Sequence, residues 1–243
     1  MNRMIYLVTG LFFVSLLFVT DSSFAGTSGY HRSAVTNWNA IEASSFIGSQ
    51  VYDIRGFEVG QIHCFTVDPA SGRISNVVLS DVPGMGAEFV FIPFASLTRT
   101  GANLFVYTPP EDTYYFYGEA PYWTEGFYLH SQDMPKEAYA GSLMIGAAVQ
   151  TSGGEEIARV DDLVIDFGSG HIAYAVLSDF KGMEGRMVAV PCGTLSRVNE
   201  GVFVVTVDRD KLLAAPAFTW PNTTEWRYVG DIYIYYGLHP YWE

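Results

Sequence analysis

The stretch Asp68-Pro69-Ala70-Ser71-Gly72-Arg73-Ile74-Ser75-Asn76-Val77-Val78-Leu79-Ser80-Asp81 returns as Asp166-Phe167-Gly168-Ser169-Gly170-His171-Ile172-Ala173-Tyr174-Ala175-Val176-Leu177-Ser178-Asp179, at a constant offset of 98 positions. Working outward, the same offset aligns Ile47 to Thr108 with Ile145 to Thr206 without a gap, and roughly a third of the aligned positions are identical. This is an internal duplication. Its period is too long for a solenoid unit, which usually runs about 20 to 50 residues, so each copy reads as a small domain.

The identities fall where backbone geometry is demanding or a core must be filled. Asp68 to Gly72 and Asp166 to Gly170 lie between apolar runs, with a glycine available for positive φ, and read as hairpin turns. The flanking runs, Gln61 to Val67 and Ile74 to Leu79 in copy one, Arg159 to Ile165 and Ile172 to Leu177 in copy two, are rich in Val, Ile and Leu and read as strands. Gly56 and Gly154 mark an earlier turn, and Pro93 and Pro191 end later strands, since proline cannot donate to a ladder. Asp208 can cap a short helix that Pro216 terminates.

The ordered string is Ile-Gly-x-x-Val, a glycine turn, Glu-x-apolar-small, a long strand, Asp-x-x-x-Gly, Val-Leu-Ser-Asp, Gly-Met and Val-x-apolar-Pro, and it occurs twice. It resembles the PRC-barrel family, the small β-barrel of the photosynthetic reaction-centre H subunit and of a ribosome maturation factor. The resemblance implies an all-β fold of two tandem small antiparallel barrels with aromatic-rich tails and one short helix near the C-terminal barrel. The family shares no catalytic residues, so the resemblance implies no active site and no cofactor. The expected boundaries are a signal peptide over 1–25, a leader over 26–45, barrels over 46–108 and 142–218, an aromatic tail and linker over 109–141, and a C-terminal tail over 219–243.

Met1 to Ala25 carries Arg3, an apolar run from Ile5 to Val19, and small residues at Ser23 and Ala25, the pattern of a secretory signal cut before Gly26. The expectation is a periplasmic or secreted bacterial protein with no stable membrane insertion after cleavage, because no other stretch is long and apolar enough to span a bilayer. The formal net charge is −13. Such an acidic surface repels phosphate backbones and excludes nucleic acid as a partner.

No constellation of reactive residues stands out. His31, His63, His130, His171 and His239 show none of the paired spacings of a zinc site, and Asp161-Asp162 with Asp166 lacks the ladder of a calcium loop. Ser80-Asp81 and Ser178-Asp179 have no histidine at matched positions to act as base, and read as strand ends entering turns. Cys64 and Cys192 occupy non-equivalent places; in an exported chain they allow a disulfide between the copies, and the sequence leaves bridged and free open.

Two aromatic segments match each other, Tyr114 to Trp123 and Tyr233 to Trp242, sharing Tyr-Gly and Pro-Tyr-Trp. Rings with polar tips serve equally as a structural strap or as a platform, and Tyr117, Tyr122, Trp123, Tyr236, Tyr241 and Trp242 are the candidate interaction residues. The expected function is a non-catalytic exported interaction or assembly module with a protein partner still to be identified. The alternative is an accessory subunit of a redox or membrane complex that binds a hydrophobic, quinone-like ligand or a sugar on the tails. A barrel of about 60 residues is marginal alone, so the two copies are expected to pair within the chain.

Overall fold

Each duplicated turn folds where its glycine demands. Gly72 and Gly170 sit at φ 71° and 70°, and their amides donate to the carbonyls of Asp68 and Asp166 at 2.8 and 2.9 Å, closing the two hairpins. A computed structural model describes residues 38–68, 71–84, 89–109, 139–199, 201–220 and 226–243. The recurring Ser-Asp pair has the same kind of explanation. Asp81 and Asp179 both lie at positive φ, 53° and 55°, a region that Asp tolerates better than most side chains.

In copy one the strands are β2 (Gln50–Asp53), β3 (Glu58–Val67), β4 (Ile74–Ser80), β5 (Val90–Pro93), β6 (Leu97–Arg99) and β7 (Leu104–Tyr107), in sheet order 5-4-3-2-7-6. Copy two repeats that order with β9 (Ala148–Gln150), β10 (Glu156–Asp166), β11 (His171–Ser178), β12 (Val188–Val190), β13 (Leu195–Asn199) and β14 (Val202–Val205). Among the described strands all pairs are antiparallel except β2 with β7 and β9 with β14, where strands far apart in sequence meet in parallel within each sheet. Pro93 and Pro191 stand where β5 and β12 give way to short 3-10 turns.

Each sheet has a seventh strand, and it comes from the chain just ahead of the opposite copy. Strand β1 (Ala40–Glu42) precedes copy one but pairs with β10, Ile41 opposite Ile165. Strand β8 (Tyr139–Ala140) precedes copy two but pairs with β3, Ala140 opposite Thr66. The registers are equivalent under the 98-residue offset. So are two backbone bonds across the junction, Ile74 N–H to the Gly170 carbonyl at 2.7 Å and Ile172 N–H to the Gly72 carbonyl at 2.9 Å. An isolated bridge joins Arg73 to His171, a position to its own duplicate, so the pseudo-twofold axis passes between them.

The long strands make this exchange possible. Both carry a bulge at the same place, after Ile62 and after Val160. Beyond it every residue from Cys64 to Val67 and from Asp162 to Asp166 is buried, as expected of a strand covered on both faces. The main core is accordingly continuous across the copies. Phe167, at the tip of the copy-two hairpin, stands among three rings of copy one, with centroids 4.8 Å from Phe94, 5.3 Å from Phe105 and 6.2 Å from Phe46.

After copy two, Asp208 caps helix α2 (Arg209–Ala214) by accepting from the Asp210 amide at 2.8 Å. A second, longer helix of the C-terminal tail, α3 (Trp226–Tyr236), adds to the one helix expected from the sequence and buries Val229, Ile232, Tyr233 and Tyr236. A four-residue helical turn, α1 (Ala43–Phe46), follows β1. Among the described residues no helix is long and apolar enough to cross a membrane.

Candidate functional site

The junction creates two related grooves, one on each side of the pseudo-axis, and the C-terminal tail packs into that of copy two. In copy two the hairpin strands and the Pro191 corner meet the C-terminal tail. Asp166, almost fully buried, accepts from the Gly168 amide at 3.1 Å, the Ser169 hydroxyl at 2.6 Å and the Tyr241 hydroxyl at 2.9 Å. The Tyr241 ring stacks on His171 at 4.9 Å and 16°, and meets Tyr233 and Trp242 edge-on. Burial, and then the Asp166 charge, push the Tyr241 hydroxyl far above the ordinary tyrosine range, so it is a fixed donor. Burial is the largest influence on His171 and, with the Arg73 charge, lowers it below the usual imidazole value.

On the copy-one side the counterpart is, among the described residues, a cleft of about 690 Å³, bounded by Asp68, Arg73, Ile74, Phe94, Leu97 and the Phe167 turn. Tyr236 is buried, and Tyr241 commits both its hydroxyl and a ring face to the barrel. Trp242 is half-buried against Tyr233 and Tyr241. Tyr117, Tyr122 and Trp123 lie outside the described residues.

Cys64 and Cys192 are both free and buried, in different surroundings, so the disulfide that an exported chain would allow is not formed here. Cys64 packs with Val78 and Phe91, and burial raises its thiol to about 11 against the smaller pull of the neighbouring Ser142 hydroxyl. Cys192 belongs to the main core beside Gly72, and burial raises it to about 12. Neither is poised as a nucleophile, because the thiolate is the reactive form.

Asp161, Asp162 and Asp166 separate in the same way. Asp161 accepts from the Trp220 indole at 3.2 Å, Asp162 is buried under α1, and Asp166 holds the tail. Asp162 is the 98-offset duplicate of Cys64, and nothing in the residue pattern marks its role. It accepts from the Ser44 amide at 3.1 Å, from the Ser44 hydroxyl and from the Leu163 amide at 2.7 Å, which ties the start of copy one to copy two. Burial raises its pKa despite those bonds, and raises that of Glu42, which also feels the Asp162 charge. Among the described residues no group of three or more His, Cys, Asp or Glu side chains is placed to hold a metal ion.

A second feature belongs to copy one alone. The turn after β2 is built by Asp53, whose Oδ1 accepts from the Arg55 and Phe57 amides at 2.8 and 2.9 Å, and Gly56 completes it at φ 87°. Partial burial pushes the Asp53 carboxyl up, but those bonds and Arg55 outweigh it and hold the group below the ordinary range. The turn presents Ile54, 65% exposed, beside Leu104 at 42%, around an apolar hollow of about 500 Å³ walled by Tyr52, Ile54, Leu104 and Val106, and on the same turn Phe57, 62% exposed, lies with the Arg55 guanidinium 5.2 Å over its ring. The duplicate positions of Ile54 and Phe57 are Ser152 and Glu155. Nothing in the barrel fold therefore requires apolar side chains there.

A family model, the PRC-barrel domain, matches residues 39–114 and again residues 136–213, together more than half of the chain. Both matches begin upstream of the duplicated strands and take in the exchanged strands β1 and β8. No curated protein matches the chain.

Proposed function

The chain belongs to the PRC-barrel domain family, and from that premise we propose that it is an exported, non-catalytic interaction module that engages a protein partner through the apolar end of its first barrel. The observation that carries this reading is the asymmetry at Ile54 and Phe57. Ile54 and Phe57 stand exposed on the turn after β2 in copy one, beside the exposed Leu104, where the equivalent turn of copy two carries Ser152 and Glu155. Clustered exposed apolar surface marks contact sites more often than scattered single residues do. The Met1 to Ala25 pattern supports export.

We propose further that the two barrels act as one intramolecular pseudo-dimer, the product of fusing a twofold dimer. The reciprocal pairing of β1 with β10 and β8 with β3 in equivalent register supports it. The alternative, a hydrophobic ligand or sugar held on the tails, draws less support, because Tyr236 and Tyr241 face the barrel. The test places a photo-reactive amino acid at Phe57 in one variant and at Glu155 in another, in cells that make the protein. A discrete protein adduct from position 57 and none from 155 is expected, and equal or absent adducts would end the proposal. Envelope protein starting near Gly26 is expected on N-terminal sequencing; Met1 in a membrane fraction would refute export.

A further inference from the structure

The C-terminal tail turns back on the barrel at a glycine. Helix α3 ends at Tyr236, and Gly237, at φ 74°, makes the left-handed turn that stops it, with the Leu238 amide donating to the Tyr233 carbonyl at 3.0 Å. Residues 238–243 follow, and Tyr241 holds them to the barrel. Its hydroxyl donates to Asp166 at 2.9 Å, and its ring lies 4.9 Å from the His171 imidazole and nearly parallel to it, at 16°. His171 is also the residue whose backbone meets Arg73 of copy one at the pseudo-axis. The seat of the tail is therefore a titratable ring at the junction of the copies.

The groups around that ring decide what a proton does there. His171 Nδ1 lies 3.0 Å from the Ser169 carbonyl, an acceptor, so the neutral ring satisfies that contact with the one proton it carries. Arg73 from the copy-one hairpin repels a positive imidazole, Asp166 from β10 attracts it, and Tyr241 covers one of its faces from the tail. Burial is the strongest of these influences. Together with Arg73 it outweighs Asp166 and the Ser169 bond, so the folded chain favours the neutral ring. The Tyr241 ring is part of that burial. A proton thus binds more readily once the tail has lifted and water reaches the imidazole, and by linkage it favours the lifted tail.

We propose that residues 238–243 form an acid-released strap over the junction of the two copies, seated on neutral His171 and freed when that imidazole takes up a proton. The hold is complete above the ordinary imidazole value of about 6.5 and weakens as pH falls below it. Release uncovers Asp166 and Tyr233, both buried beneath Tyr241, and so turns a fall in pH into newly exposed surface at the junction. The device is independent of the contact face at Phe57, which belongs to copy one.

The test follows ring-to-ring Overhauser contacts by NMR in the full chain at about pH 7.5 and about pH 5.5, on either side of the imidazole value. The Tyr233–Tyr241 pair, 6.1 Å apart, reports the strap, and the Tyr174–Phe218 pair, 6.0 Å apart, is the internal reference. The strap contact should fall by at least about a third at the lower pH relative to the reference. His171→Gln, which keeps a planar polar side chain under the ring, should abolish that response. His239→Gln removes the tail's own imidazole, 3.3 Å from Glu243, and should leave it in place. A strap contact unchanged by pH in the unaltered chain would overturn the proposal, as would a response that survives His171→Gln or vanishes with His239→Gln. An equal loss in the reference pair would overturn it in favour of a general loosening of the fold in acid.

Discussion

Replacing Phe167 by alanine removes a side chain of copy two that stands inside the aromatic cluster of copy one. The ring is 9% exposed and lies 4.8, 5.3 and 6.2 Å from the centroids of Phe94, Phe105 and Phe46. Truncating a core phenylalanine costs about 3–5 kcal/mol, made up of lost transfer energy and the cavity left behind. Phe167 also borders the cleft, so water or a shifted neighbour can occupy part of the void, and the lower end, about 3 kcal/mol, is expected. Against a total stability of about 5–15 kcal/mol for a typical domain, that is a large fraction. The assay is urea unfolding combined with hydrogen exchange, followed separately in peptides from β4 and β11. Because the core is shared, both strands should lose protection together and by similar amounts. Val198→Thr, at a 60% exposed position, should change stability by no more than about 0.5 kcal/mol. A Phe167→Ala loss below about 1 kcal/mol, or a loss in β11 with β4 unchanged, would show that the two barrels fold as separate units and that the ring only touches its neighbours.

Three other outcomes follow from the same geometry. Asp162 and Glu42 have pKa values raised in the folded state, so their share of stability is fully present below the ordinary carboxylate range, about pH 4, and is lost as pH rises through the raised values. Asp162→Asn, which keeps an oxygen to accept from Ser44 and Leu163, should flatten that decline in urea titrations across the acid range; an unchanged slope would refute the assignment. Gly141→Ala would set a Cβ 2.0 Å from Cε2 of the fully buried Phe65 and should cost about 1–3 kcal/mol by overpacking, measured as a lower urea midpoint. Gly193→Ala, with nothing within 4 Å, is the control and should change stability by less than about 0.5 kcal/mol. Native protein at pH 8 should take up almost no iodoacetamide at Cys64 and Cys192, whose thiols sit at about 11 and about 12, while urea-unfolded protein should label at both; rapid native labelling of either would show an open, reactive thiol.

The sequence by itself determined the duplication, the two hairpins and the barrel class, because these rest on local demands: a glycine where φ must be positive at Gly72 and Gly170, apolar runs between turns, an Asp208 cap and a Pro216 stop. Helix α3 was legible in principle, since Val229, Ile232, Tyr233 and Tyr236 follow helical spacing. Gly230 and the run of tyrosines and β-branched residues, all modest helix formers, hid it behind the look of an irregular tail. Only the tertiary structure decided where the exchanged strands go. Strands β1 and β8 are three and two residues long, too short for any periodicity, and their partners lie across the molecule. Nor did the sequence foretell that Phe167 enters the opposite core, that Asp162 receives Ser44 from the other copy, or that the C-terminal tail packs into the groove of copy two. Those outcomes depend on which surfaces meet around the pseudo-axis, and a chain read residue by residue carries the two halves of each contact about a hundred positions apart.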